Sequence, residues 1–344
     1  MITPFGLRHI RLVQQLQSDC AILDLKRAFL DEPVTPLRAA LREYFLKSHQ
    51  GTFTYVLQTL DREKRLRGFA QAKTHKSGLA WNLVCMAPAL DNQTMPARLQ
   101  AEEAATIWYR LLLHLCIAAG ERRVQRLFAW LPVDSPAEEV FRQAGFVAYC
   151  HEHLFRHSSA GMKTGKVSTR ITPLRPSDRF DVQKLYHRIT PRMVLQAEEL
   201  NNQQSNSSLC LTYVLDSEQG YVLHGQNGEG EGYLHIASGP RGICLRLLTH
   251  PGASDCAAEL LDHALAMLSP SLSQHLYCVV RGFEGNIQSV LEERGFALTN
   301  TYSLLVKHTT VRIKEPARKL VPVLEKKAEI APTVSRSEAE QQAR

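Results

Sequence analysis

Val140-Phe-Arg-Gln-Ala-Gly145-Phe146 and Val290-Leu-Glu-Glu-Arg-Gly295-Phe296 stand 150 residues apart and agree at their first, sixth and seventh positions. Each reads as the last turns of a short amphipathic helix, stopped by a glycine in the left-handed conformation and followed by a strand. Carried outward at the same offset, Leu111 meets Leu261, Leu115 meets Leu265 and Leu154 meets Leu304. Six identities between 108–156 and 258–306 prove little by number. The order of elements around them says more.

Both copies begin this stretch with a one-faced helix, marked by Ile107, Trp108, Leu111, Leu112 and Leu115 in the first and by Leu260, Leu261, Ala264, Leu265 and Leu268 in the second. A short apolar strand follows, Val124–Leu131 or His275–Val280. Ser135-Pro136-Ala137-Glu138 is a favourable helix start, and Val147–Arg156 is a final strand. Upstream, Thr52–Gln58, Leu66–Ala72 and Trp81–Ala87 read as strands, as do Tyr221–His224, Gly232–Ile236 and Ile243–Leu248. Gly225–Gly232 joins two of these and is a hairpin turn, since no helix opens after it. Helical faces precede both strand runs: Leu37, Ala40, Leu41, Tyr44 and Phe45, then Val182, Leu185, Tyr186 and Ile189, with Ser177 placed to cap the latter. The expectation is a mixed α/β (α+β) fold used twice, each copy a mixed, mainly antiparallel sheet flanked by helices. The spacing predicts units at 1–156 and 168–311, a flexible linker at 157–167, and a disordered basic tail at 312–344 in which Leu320–Leu324 makes at most a brief docking contact.

The 344 residues are 44% hydrophobic and carry a net charge of +7, with a pI near 9.0. Residues 312–344 hold eight basic and five acidic side chains, so much of the excess belongs to the tail. The remaining basic residues are scattered, and no nucleic-acid-binding motif accompanies them, which argues against a nucleic-acid partner. The longest apolar run, Leu111 to Ala119, is too short for a bilayer, and no secretory leader is visible. None of the eight cysteines forms a Cys-x-x-Cys pair; Cys85, Cys116, Cys244 and Cys278 lie in apolar runs and read as core residues. A reduced, cytoplasmic compartment without structural zinc is the expectation. Cys150-His-Glu-His153 is the one metal-like cluster, and a solvated strand face with Cys150 turned inward is its simpler reading.

The order of elements resembles the GNAT superfamily of acyl-CoA N-acyltransferases, through Glu139-Val-Phe-Arg-Gln-Ala-Gly-Phe146, Ser289-Val-Leu-Glu-Glu-Arg-Gly-Phe296 and the opening Arg170-Ile-Thr-Pro-Leu-Arg-Pro-Ser-Asp178. The resemblance implies a tandem arrangement, with acetyl-CoA or another acyl-CoA as donor and a small-molecule or peptide amine as acceptor. It also implies a loop, [Gln/Arg]-x-x-Gly-x-[Gly/Ala], whose amides at a helix N-terminus cradle the CoA pyrophosphate. In the second copy that loop falls on Leu248, Thr249, Gly252, Ala253, Ser254 and Ala257. Gly252 replaces the leading Arg/Gln, Asp255 replaces the middle glycine, and Ala257 alone is kept.

The first copy departs further, since Glu102–Ile107 lacks glycine and reads as continuous helix. The tyrosine that often protonates the leaving thiolate falls on Phe141 and Leu291. The glutamate that serves as general base has no counterpart on Trp81–Ala87, Ile243–Leu248 or the strands after them. Tyr149 and Tyr302 read as core aromatics, Gln196–Glu199 as a solvated helix end, and Tyr186, His187 and Glu198 as the polar residues nearest any pocket. Two readings follow: an acyltransferase whose second copy binds the donor, and a catalytically silent tandem module for ligand binding or protein interaction.

Overall fold

The computed structural model describes residues 1–24, 28–30, 35–46, 51–61, 64–75, 78–90, 97–157, 166–198, 219–268 and 275–309. Most of the expected linker and all of the expected tail lie outside these residues. The strands are β1 (Ile2–Pro4), β2 (Ala21–Ile22), β3 (Thr52–Asp61), β4 (Lys64–Thr74), β5 (Ala80–Ala87), β6 (Arg126–Pro132) and β7 (Val147–His157), followed by β8 (Ile171–Pro173), β9 (Gln219–His224), β10 (Gly230–Ser238), β11 (Gly242–Thr249), β12 (His275–Arg281) and β13 (Phe296–His308). The α-helices are α1 (Ile10–Leu16), α2 (Pro36–Leu46), α3 (Ala97–Glu121), α4 (Ala137–Gln143), α5 (Arg179–Ile189), α6 (Arg192–Glu198), α7 (Ser254–Leu268) and α8 (Gly285–Glu293).

Both repeats build the same layer. An antiparallel meander (β3-β4-β5 or β9-β10-β11) leads through a long helix to a parallel neighbour, β6 or β12. The apolar face of α3 closes a core with Trp81, Leu111, Leu115, Phe141 and Phe146. The apolar face of α7 closes a second core with Leu245, Leu260, Leu265, Val290, Leu291 and Phe296. Gly145 and Gly295 hold φ of 81° and 82°, the left-handed helix stops expected of them. One local expectation fails: Ser177 does not cap α5. Its hydroxyl bonds Asp178, and the Asp178 carboxylate accepts from the Arg175 N–H at 2.9 Å, closing a preceding 3-10 turn instead.

The last strands are exchanged. The sheet runs β1-β3-β4-β5-β6-β13-β7-β12-β11-β10-β9-β8, with β2 paired to β5. β13 lies beside β6, β7 lies beside β12, and the two pair antiparallel in the middle. Thus Leu305 joins the first core and Phe155 the second. Glu152 pairs with Tyr302, its own equivalent at the 150-residue offset, while Cys150↔Leu304 and Leu154↔Asn300 interchange under that offset. An approximate two-fold axis therefore passes between Glu152 and Tyr302.

Candidate active site

In the second repeat the parallel pair β11–β12 is joined from Gly242↔His275 to Arg246↔Val279. Beyond that register the strands continue to Thr249 and Arg281 without pairing to each other. Alternation along the strands aims Arg246, Arg281 and Glu152 at one face of the sheet, the face covered by α5 and α6. Five charged side chains converge there, all at least nine-tenths buried: Glu152, Glu198, Glu284, Arg246 and Arg281.

Arg281 is the hub. Its Nη2 donates to Glu198 Oε1 at 2.5 Å, its Nη1 to Glu198 Oε2 at 3.2 Å, and its Nε to Glu152 Oε1 at 3.3 Å. The backbone N–H of Arg281 donates to Glu284 Oε2 at 2.8 Å, while Arg246 donates to Glu284 Oε1 at 2.9 Å. Glu284 thus ties the two parted strands together. Glu152 Oε2 accepts from Trp130 Nε1 at 3.2 Å. The Tyr186 hydroxyl donates to Glu198 Oε2, and that of Tyr149 to Glu198 Oε1 at 3.2 Å. Charge-assisted bonds of this kind are what a buried ion needs to offset its lost hydration.

Burial pushes the Glu284 carboxyl above its ordinary range, against the pull of Arg246. Burial, reinforced by the negative charge of Glu198, pushes the Tyr149 phenol well up, so it stays a proton donor. Burial likewise raises the Cys150 and Cys244 thiols to about 12, which removes them as nucleophiles.

The loop expected to cradle the cofactor follows directly from β11. Leu248 and Thr249 are buried, as is Ala257 on the core side of α7. Gly252 and Ser254 are exposed, and Ala253 is half-buried. The Gly252 N–H donates to His250 Nδ1 at 3.4 Å and that of Ala253 to the His250 carbonyl at 2.9 Å. The next three N–H groups, of Ser254, Asp255 and Cys256, open α7, where helix geometry leaves them without partners inside the helix. The backbone therefore suits an anion, and the exposed Asp255 carboxylate opposes one. In the first repeat, Glu102–Ile107 lies inside α3, as expected.

Several sequence expectations change here. Gln196–Glu199 was expected to be a solvated helix end; Glu198 is 2% exposed and bound to Arg281, because α6 packs Val194 and Ala197 onto the central strands. Tyr186 and Glu198 meet in the cluster, whereas His187 is exposed and bonds its own helix at Gln183. Tyr302 is half-buried and packs against Phe29. Glu152, Arg246, Arg281 and Glu284 were not anticipated. Their signals were present: Glu152 shares strand parity with the inward Cys150, and Arg246 interrupts an apolar strand. On the opposite face His151 is exposed, and His153 Nδ1 lies 3.0 Å from Thr301 Oγ1. Among the described residues no group of three or more His, Cys, Asp or Glu is arranged to hold a metal ion. No described helix is long and apolar enough to cross a membrane.

No family model matches the sequence, and no curated protein matches it significantly. Solved structures do match. A GCN5-related N-acetyltransferase from Sphaerobacter thermophilus superposes with a TM-score of 0.50 at 13% identity, over 90% of this chain and 95% of that one. A tandem GNAT protein from the clavulanic acid biosynthesis pathway gives 0.48 at 12% identity, over 90% and 98% of the two chains. A GCN5-related N-acetyltransferase from Anabaena variabilis gives 0.42 at 11%, over 90% and 73%. The first of these likenesses establishes the fold as that of the GNAT acetyltransferases.

Proposed function

We propose that this chain, which has the GNAT acetyltransferase fold, moves an acyl group from acyl-CoA to an amine, and that its second repeat carries the reaction. One observation supports the reading above the others. At the ends of β11 and β12 the parted strands, the N–H groups opening α7 and a buried carboxylate cluster come together, with Glu152 reaching in from β7 of the first repeat.

The N–H groups of Ser254, Asp255 and Cys256 would hold the pyrophosphate, with the exposed Gly252 leaving the approach open. Bound acyl-CoA supplies a thioester whose carbonyl carbon is open to a neutral amine. An ammonium must first lose a proton, and three carboxylates against two guanidinium groups leave one negative charge to attract it. We assign that proton to Glu152 Oε2, which accepts a 3.2 Å bond from Trp130 while Arg281 engages Oε1. Arg281 and Arg246 hold Glu152 in place from the strand ends.

Acetyl-CoA should raise the melting temperature; at a hundredfold excess over Kd the added stability is about 2.7 kcal/mol. Asp255→Gly should enlarge the shift by removing the opposing carboxylate. Glu152→Gln should keep the shift while losing turnover. No shift at millimolar acetyl-CoA defeats the donor assignment. The silent-module reading is favoured by Glu284, which already joins the parted strands. It stands if acetyl-CoA binds and a panel of small-molecule and peptide amines gains no acyl group.

A further inference from the structure

Wherever a parallel pair separates part-way, backbone N–H and C=O groups lose their partners and an extended segment can restore them. In the first repeat β5 and β6 pair from Ala80↔Arg126 to Asn82↔Phe128 and then part, although β5 continues to Ala87 and β6 to Pro132. The chain itself fills the gap. Leu23 donates its N–H to the Val84 carbonyl at 2.9 Å and accepts from the Trp130 N–H at 3.3 Å, one bond to each parted strand. Ala21 and Ile22 extend the contact, pairing with Met86 and Cys85. The Leu23 side chain is 1% exposed, within the core that holds Trp81, Leu83, Met86, Trp108 and Leu131.

The second repeat secures the far end of the same segment. Arg241 donates its N–H to the Leu30 carbonyl at 3.2 Å and its guanidinium to that of Ala28 at 2.9 Å. The Phe29 ring lies 5.3 Å from Tyr277 and 6.5 Å from Tyr302. Gly239 permits the approach, since a Cβ there would stand 2.3 Å from the Leu30 carbonyl oxygen.

We infer that Ala21–Leu23 closes the first repeat to acyl-CoA, so that the chain holds a single donor site, in its second repeat. The extended, amide-bearing arm of CoA would need the same backbone groups on β5 and β6 that Leu23 occupies. The first repeat becomes a fixed platform that delivers residues 28–30 to the second. Where the inference speaks of the donor it rests on the function proposed above; the closure itself does not.

Residue-resolved hydrogen exchange on the full chain, with and without acetyl-CoA, separates the two. Without ligand, the Leu23 and Trp130 amides should exchange on the order of 1000-fold more slowly than loop amides. With ligand, new protection should appear within 247–256, with Leu23 and Trp130 unchanged, and calorimetry should give one acetyl-CoA per chain. Fast exchange at Leu23 and Trp130 overturns the inference. So do two acetyl-CoA per chain, or loss of protection at Leu23 as Val84–Ala87 gain it. If acetyl-CoA alters nothing while Leu23 and Trp130 stay protected, the closure stands and the proposed function falls.

Discussion

Arg281 gathers its bonds because it ends an apolar strand, where its side chain has no water to turn to. Arg281→Met leaves Glu198 and Glu152 buried without their main counterion, and the expected cost is about 3–5 kcal/mol. Urea unfolding measures it; a loss below about 1 kcal/mol would mean that water reaches the cluster. His263 offers a pH test. It is buried, its Nδ1 accepts the Ser168 N–H at 3.2 Å, and burial lowers its pKa below 6.5. Below 6.5 the unfolded chain takes a proton that the folded chain refuses, so this contribution is present above that pH and lost as pH falls through the folded value. His263→Asn keeps an acceptor and removes the titration. Between pH 7.5 and 5.5 the wild type should lose more stability than the variant, and equal slopes would assign the effect elsewhere. At this scale the sequence picked out Tyr186 and Glu198 but missed their partners. Period-two reading gives a side chain's parity and leaves open which strand lies opposite.

The elements follow from local rules and were the most legible level. The 3.6 period marked α3 and α7, apolar runs marked most of the long strands, and Gly225–Gly232 turns a hairpin as expected. Gly295 ends the helical turn before β13 at φ 82°, and a Cβ there would meet nothing nearer than His157 Nε2 at 3.8 Å. Gly295→Ala should therefore cost only the left-handed backbone penalty, about 1–2 kcal/mol. Thermal unfolding with no change would show that the turn relaxes. What the elements concealed is pairing: β2 is two residues long, and nothing in Ala21-Ile22 announces that it will lie beside β5.

Across the molecule, the exchange of β7 and β13 places each repeat's last strand against the other's core. Fragments 1–157 and 166–344 expressed together should therefore co-purify as a one-to-one complex on gel filtration. Independent elution would contradict the exchange, because β7 would then leave both β12 and β13 unpaired on that side. The charged cluster is a product of the same crossing. Glu152 comes from the first repeat, while Glu198, Arg246, Arg281 and Glu284 come from the second.

Composition, periodicity and the matching Gly-Phe ends by themselves determined two copies of one mixed α/β layer, since each depends on contacts within a few turns or strands. The departures in the second repeat's loop and the unbroken helix in the first were equally plain from the residues alone. Tertiary structure alone decided where charge is buried, that Glu152 meets the second repeat's arginines, and what fills the gap between β5 and β6. Those outcomes depend on chain segments far apart in sequence meeting in space. Hydrogen bonding and desolvation act there on whatever side chains the topology brings together, and no local pattern records the meeting.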